Sequence, residues 1–309
     1  MTSKIFFIVV FAFATYSFDS YAEIVPPNRH TKTYFSNPNR GNLSELEFNN
    51  TVAYFGNYFT GVARIHNSRL ILEKYWSNPL VNLSAEHFDT IWFIHVFGGY
   101  ARLPNLNVDA LLLSLCHELA HHVAGFPYKS VWSTAEGQAD YFSTHACLEE
   151  LWKKDTEVNK NFVNLVDPYS KARCIRSYTD AGKQNLCFRK AVSALNLAQI
   201  FAKLQGTPEV NPSFTSFIPV KATIYEHVDA QCRFETFMRG ALCPKLYNWR
   251  IIPGKVPGGI VPVPTQPKGS NELWAEKESA QSICIQANPA EQMGARPNCW
   301  YLDRLSRKF

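Results

Sequence analysis

The run Cys116-His117-Glu118-Leu119-Ala120-His121-His122 holds the most specific chemistry in the chain. Inside a helix, positions i and i+4 lie on one face. His117 and His121 therefore offer two imidazoles to one point, and neutral imidazole is a common ligand of divalent metals. Glu118 stands about 100° further round the helix, where a carboxylate can take a proton from water activated by the cation. Two histidines leave a catalytic zinc one protein ligand short. The segment Ala135-Glu136-Gly137-Gln138-Ala139-Asp140 follows. Glu136 is the candidate third ligand, and Asp140 lies one turn further along the same face. If the two helices pair antiparallel, Glu136 sits near His121 and Asp140 near His117. Asp140 then accepts the second imidazole N–H and sets the tautomer. The expected centre is one Zn2+ per chain on His117, His121 and Glu136.

The remaining histidines carry no comparable pattern. His122 is offset by about 100° from His121 and packs or faces solvent. His145 lies nine residues beyond Glu136, on the opposite face, and reads as a surface residue. His30, His66, His87 and His95 have no partner spacing. A longer motif with a third histidine would need His at 127 and Gly at 124; the chain has Pro127 and Ala124.

Helices must position this chemistry. The spacing predicts one over 108–124, capped by Asn107 and ended by Gly125. Its first half, Ala110 to Leu115, is apolar almost all round, which marks a buried helix. A second is expected over 135–152, capped by Ser133 or Thr134, and others over 44–62, 168–178, 184–205 and 271–282. Leu70-Ile71-Leu72 and the run Thr90 to Phe97 are strand candidates, the latter ending at Gly98-Gly99. Pro26, Pro27 and Pro38 mark residues 23–40 as an extended lead-in. Five Pro and three Gly over 252–267 mark a wrapping loop or linker.

At 309 residues, 46% hydrophobic and 18% charged, the chain can bury a sizeable core and does not have the composition of a disordered one. The net charge of +5 is spread along the sequence, with no basic stripe to suggest nucleic-acid binding. No apolar run reaches the ~18 residues of a spanning helix. Residues Ile5 to Ala14 follow Lys4 as an apolar run, and Ser20-Tyr21-Ala22 supplies small residues before a cut. This is the layout of a signal peptide over 1–22, cleaved after Ala22, with no integral membrane segment left afterwards. Eight cysteines without a CxxC pair read as disulfides in an oxidising compartment, periplasmic or extracellular. Cys232 and Cys243, eleven residues apart on a helical stretch, would be ~16 Å apart and need other partners. Cys116 reads as a disulfide partner too, with Cys147 on the facing helix as a candidate.

His117-Glu118-x-x-His121 with Glu136-x-x-x-Asp140 resembles the gluzincin zinc metallopeptidases. The Glu136-Gly-Gln-Ala-Asp140 form looks closest to the clan of CAAX prenyl proteases and their soluble bacterial periplasmic relatives. Thr90 to Arg102 sits where such enzymes carry a strand before the active-site helix. Glu226 to Arg233 resembles a later His-Pro…Arg segment, with Val228 in place of the Pro. The resemblance spans residues 70–245, just over half the chain. It implies an α+β fold: a mainly helical, zincin-like catalytic domain over 23–250, with a small antiparallel sheet beside the His-Glu-x-x-His helix. Residues 251–309 would form an extension packed on or near it. It also implies a zinc-dependent endopeptidase with Glu118 as general base, His227 stabilising the tetrahedral intermediate and Arg233 organising the ligand helix. The substrate would be a protein or peptide bound in extended form along the strand near 90–97. Two other readings stay open: an envelope binding or chaperone-like module with a structural zinc, and an enzyme held latent by residues 23–40 or 252–309. A filled base position with no evident fourth ligand favours the enzyme.

Overall fold

The computed structural model describes residues 21–25, 42–255 and 270–305. The expected signal peptide apart from Tyr21 and Ala22, the lead-in from residue 26 to 41, and the Pro-rich stretch 256–269 lie outside the described residues. The chain runs through β1 (Tyr21–Glu23), α1 (Glu45–Ile65), β2 (Arg69–Tyr75), β3 (Leu83–Phe88), β4 (Ile91–Phe97) and a short α2 (Gly98–Ala101). Then come α3 (Val108–Val123) and α4 (Glu136–Phe142), which continues through a π turn (Ser143–Cys147) into α5 (Leu148–Trp152). The remaining helices are α6 (Thr156–Lys160), α7 (Pro168–Ser177), α8 (Ala181–Gln205), α9 (Ala230–Leu242) and α10 (Ser270–Ser279).

Local chemistry sets the helix ends. Ser44 and Glu47 cap α1 reciprocally: Glu47 N donates to Ser44 Oγ at 3.2 Å, and Ser44 N to Glu47 Oε2 at 2.8 Å. Asn107 Oδ1 accepts from Ala110 N at 2.9 Å, as its position before α3 predicts. Asp180 and Asp229 cap α8 and α9 in the same way. α8 stops at Gly206, whose φ of 67° costs a glycine little.

The expected α+β class holds, with a refinement in the sheet. Its order is β1-β3-β4-β2; β1 and β4 each pair antiparallel with β3, but β2 pairs parallel with β4. The sheet is mixed because β4 inserts between its two predecessors. β4 is therefore interior, which accounts for its nearly continuous apolar run, with Trp92, Ile94 and Val96 buried. β3 was not predicted. α3 packs beneath the sheet, buried from Ala110 to Val123, and α1 adds Phe48, Val52, Phe55 and Phe59 to the same core.

Four disulfides close the fold: Cys116–Cys147, Cys174–Cys187, Cys232–Cys299 and Cys243–Cys284. Cys232 and Cys243 indeed have separate partners, and Cys116 meets Cys147. Two of the bridges fasten the C-terminal region to α9. Arg296 adds bonds to Phe126 O at 3.1 Å and Gln138 Oε1 at 3.0 Å, and Tyr141 Oη donates to Gly294 O at 2.6 Å. Among the described residues no helix is long and apolar enough to cross a membrane.

The expected single helix over 135–152 is broken by the π turn, and this corrects His145. A π turn holds an extra residue and shifts the faces that follow. His145 is buried, not on the surface, and its Nε2 lies 2.9 Å from Lys245 O. His122 packs, stacked on Trp92 at 5.1 Å. Burial pushes the His145 imidazole down to about 4. It stays neutral in the folded chain while the unfolded chain takes up a proton below about 6.5. Stability is therefore lost as pH falls from about 6.5 to about 4. His145→Gln removes this dependence. In urea unfolding at pH 7 and pH 4, the wild type is expected to lose about 3 kcal/mol more than the variant over that interval. Equal losses would mean that His145 already carries its proton in the folded state.

Candidate metal centre

α3 and α4 bring the predicted ligands together. His117 Nε2 lies 3.0 Å from Glu136 Oε2 and 3.2 Å from His121 Nε2; His121 Nε2 is 3.7 Å from the same carboxylate oxygen. All three side chains are buried, and their donor atoms lie within 4.8 Å of one another. The contacts follow the order an antiparallel helix pair requires. His117 Nδ1 meets Asp140 Oδ1 at 2.7 Å, and His121 Nδ1 meets Thr134 O and Ser133 Oγ, each at 3.1 Å.

These outer bonds test whether a cation fits. A carboxylate and a carbonyl can only accept, so each Nδ1 donates its proton. Both Nε2 atoms then turn lone pairs toward each other and toward Glu136. Two imidazole acceptors and one carboxylate converging on one buried point are the donor set of a divalent ion. With no ion bound, a proton takes that role. Burial would lower His117, but Asp140 and Glu136 outweigh it and push the imidazole up to about 9. His121 is held well below its usual value by burial and by its charged neighbour His117.

Asp140 is anchored in turn. Arg233 on α9 grips it with Nε to Oδ2 and Nη2 to Oδ1, both at 2.8 Å. Burial would raise Asp140, but Arg233 and His117 hold it below the usual carboxylate range. Arg233 is itself fully buried, with its guanidinium 3.9 Å from the Phe201 ring centroid and Nη1 donating to Ile24 O at 2.8 Å.

Glu118 differs from its neighbours. Both carboxylate oxygens are buried and have no hydrogen-bond partner among the described residues. Burial, with Glu136 adding to it and His117 opposing, pushes the carboxyl up to about 8. An unpaired buried acid is costly, and such groups cluster where chemistry needs them.

His227 also reaches the centre. Its Nδ1 is 3.4 Å from Glu136 Oε2, and its Nε2 donates at 2.5 Å to the backbone carbonyl of Glu23. Burial lowers this imidazole to about 4. Contacts thus join His117, His121, Glu136, Asp140, Arg233 and His227, while Glu118, next to His117 in the chain, makes no hydrogen bond to them.

Lys129 was missed. Its Nζ bonds Glu136 Oε1 and lies 3.8 Å from Glu226 Oε2. It sits in the loop between the motif helices, where no spacing rule marks a lysine. Gly137 has its own packing reason: a Cβ there would come within 2.3 Å of the Trp300 ring.

No protein-family model, curated protein or solved structure matches this chain.

Two outcomes are expected. Loading with Zn2+ at pH 7 should release at least about one proton per chain, as His117 gives up its extra proton and Glu118, also raised, gives up part of its own, measured by titration calorimetry in buffers of different ionisation heat. Binding without proton release would place the ion elsewhere. Asp140→Asn should leave the helical circular dichroism in place but weaken Zn2+ binding by about 10–100-fold against a chelating dye. An unchanged affinity would mean that Asp140 does not orient His117.

Proposed function

We propose that this chain is an exported zinc-dependent endopeptidase of the gluzincin kind. The observation that carries the reading is Glu118: a buried, unpartnered carboxylate beside a centre with three converging donors. A structural zinc takes four protein ligands and needs no base. Among the described residues this cluster offers His117, His121 and Glu136. The four disulfides suit export to an oxidising compartment.

His117 Nε2, His121 Nε2 and Glu136 would hold the ion. When bound, Zn2+ supplies Lewis acidity, lowering the pKa of a water and polarising a carbonyl. The protein's own groups do the rest. Glu118 takes the proton of the attacking water and delivers it to the leaving amine. Its raised affinity for protons suits both halves of that transfer. His227, neutral and with Nε2–H directed at a peptide carbonyl, donates to the oxygen on which negative charge develops. Asp140 keeps the His117 Nδ1 proton in place, and Arg233 keeps Asp140 ionised and oriented.

One observation favours the second reading, a structural zinc in an envelope binding module. His117, Glu118, His121 and Glu136 are each no more than 1% exposed, and a closed centre is what a structural site requires. Against it stands the cost of leaving Glu118 buried and unpaired when no chemistry uses it.

Glu118→Gln separates the two. The variant should still bind one Zn2+ by elemental analysis, while cleavage of an unfolded protein falls by about 10²–10⁴-fold. Cleavage at the wild-type rate would remove Glu118 as the base.

A further inference from the structure

The centre is closed by the chain itself. β1 lies along the outer edge of β3, antiparallel, with Tyr21 opposite Glu86, Ala22 opposite Ala85 and Glu23 opposite Ser84. The pairing extends to Ile24, whose N–H donates to Leu83 O at 3.1 Å, and Val25 N donates to Asn82 Oδ1 at 3.1 Å. β4 cannot take the substrate as expected from its sequence, because both its edges are filled by β3 and β2. The edge next to the metal centre is that of β3, and β1 occupies it.

The backbone of this segment meets the groups proposed for catalysis. In an antiparallel pair, alternate residues turn their carbonyls away from the partner strand. Glu23 is such a residue, and its carbonyl accepts from His227 Nε2 at 2.5 Å. The next carbonyl, Ile24 O, accepts from Arg233 Nη1 at 2.8 Å. Ala22, Ile24 and Val25 are buried, and Ile24 and Val25 join the main core. The Glu23 side chain is half-buried and accepts from Asn82 Nδ2 at 2.9 Å. An extended peptide on a sheet edge, small and aliphatic side chains in pockets, and one carbonyl on the oxyanion donor are what a bound substrate would present.

We infer that Glu23, Ile24 and Val25, which stay on the chain even after a cut behind Ala22, occupy the substrate groove as an intramolecular pseudo-substrate, and that an extended peptide with small or aliphatic side chains takes their place along β3. This rests on the hydrolase reading above. The strand must leave β3 before substrate can enter, and its departure also opens a path to the metal.

The pair Glu23 and Ser84 tests this, because it persists even if the chain is cut after Ala22. Directly opposed residues between hydrogen-bonded pairs are close enough for a disulfide. The double variant Glu23→Cys/Ser84→Cys, oxidised, ties the strand down. The double variant Ile24→Ala/Val25→Ala loosens it. Two rates are read on the Zn2+-loaded full chain: removal of Zn2+ by dipicolinate, and cleavage of an unfolded protein. The tied chain should lose Zn2+ and cleave at least about tenfold more slowly than each single-cysteine variant, and the loosened chain should lose Zn2+ faster than wild type. Zn2+ removal at the same rate in tied, loosened and wild-type chains would overturn the inference, as would unimpaired cleavage by the tied chain. Zn2+ removal that tracks the strand in chains that cleave nothing would uphold the cover and sink the hydrolase.

Discussion

The buried relay from Arg233 through Asp140 to His117 is the constraint on which the rest of the centre depends. It joins α9, α4 and α3 through two charges and an imidazole, all shielded from water. Such a pair adds little net stability, because desolvation consumes most of what the charges gain by meeting. Breaking it is another matter, since an unpaired buried charge costs about 3–5 kcal/mol. The relay therefore acts as a selector of geometry. α9 can dock only where Arg233 reaches Asp140, and α4 only where Asp140 reaches His117. The remaining arms of the guanidinium extend the same logic to Ile24 O and the Phe201 face.

The disulfides fall around this relay. Cys116 immediately precedes His117, and its bond to Cys147 ties the ligand helix to the far end of the π turn. Cys232 immediately precedes Arg233, and its bond to Cys299 places Trp300 against Gly137, next to the third ligand. Each of these two cross-links thus sits one residue from a group of the relay. Cross-links of this kind restrict the unfolded chain most, but here they also limit how far α3, α4 and α9 can slide. α3 can then carry Ser114, His117, Glu118, His121 and His122 buried among apolar residues without loosening the core.

The parts of the site that were legible in the sequence are those governed by helical periodicity. His117, His121, Glu136 and Asp140 obey i and i+4 spacing on two helices, and helix geometry does not change with context. The cap at Asn107 was local for the same reason, whereas the cap expected at Ser133 or Thr134 falls on Ala135, which has no side-chain bond to offer. What escaped depends on tertiary contact. β3, Leu-Ser-Ala-Glu-His-Phe, buries Ser84 beside His95 and has no clean alternation to announce it. The π turn leaves no spacing signature, so His145 was placed on the wrong face. Lys129 comes to Glu136 from a loop, where a lysine ordinarily means solvent. β1 is three residues long and falls across the expected signal-peptide cut, where the small residues that suit a signal peptidase equally suit a tight strand edge.

Burial, the base and the covering strand are one physical arrangement. The high proton affinity of Glu118 comes from exclusion of water, against the opposing pull of His117, its strongest charged neighbour. A groove emptied of β1 would admit water, and Glu118 would relax toward an ordinary carboxylate. A peptide laid along β3 would expel that water again and restore the strong base at the moment a carbonyl arrives. Along this edge the Glu23 carbonyl already lies on His227 Nε2, and His117, His121 and Glu136 are buried. If the proposed hydrolase reading holds, the same closure reconciles a donor set with three converging ligands and a free acid with the burial of all four residues.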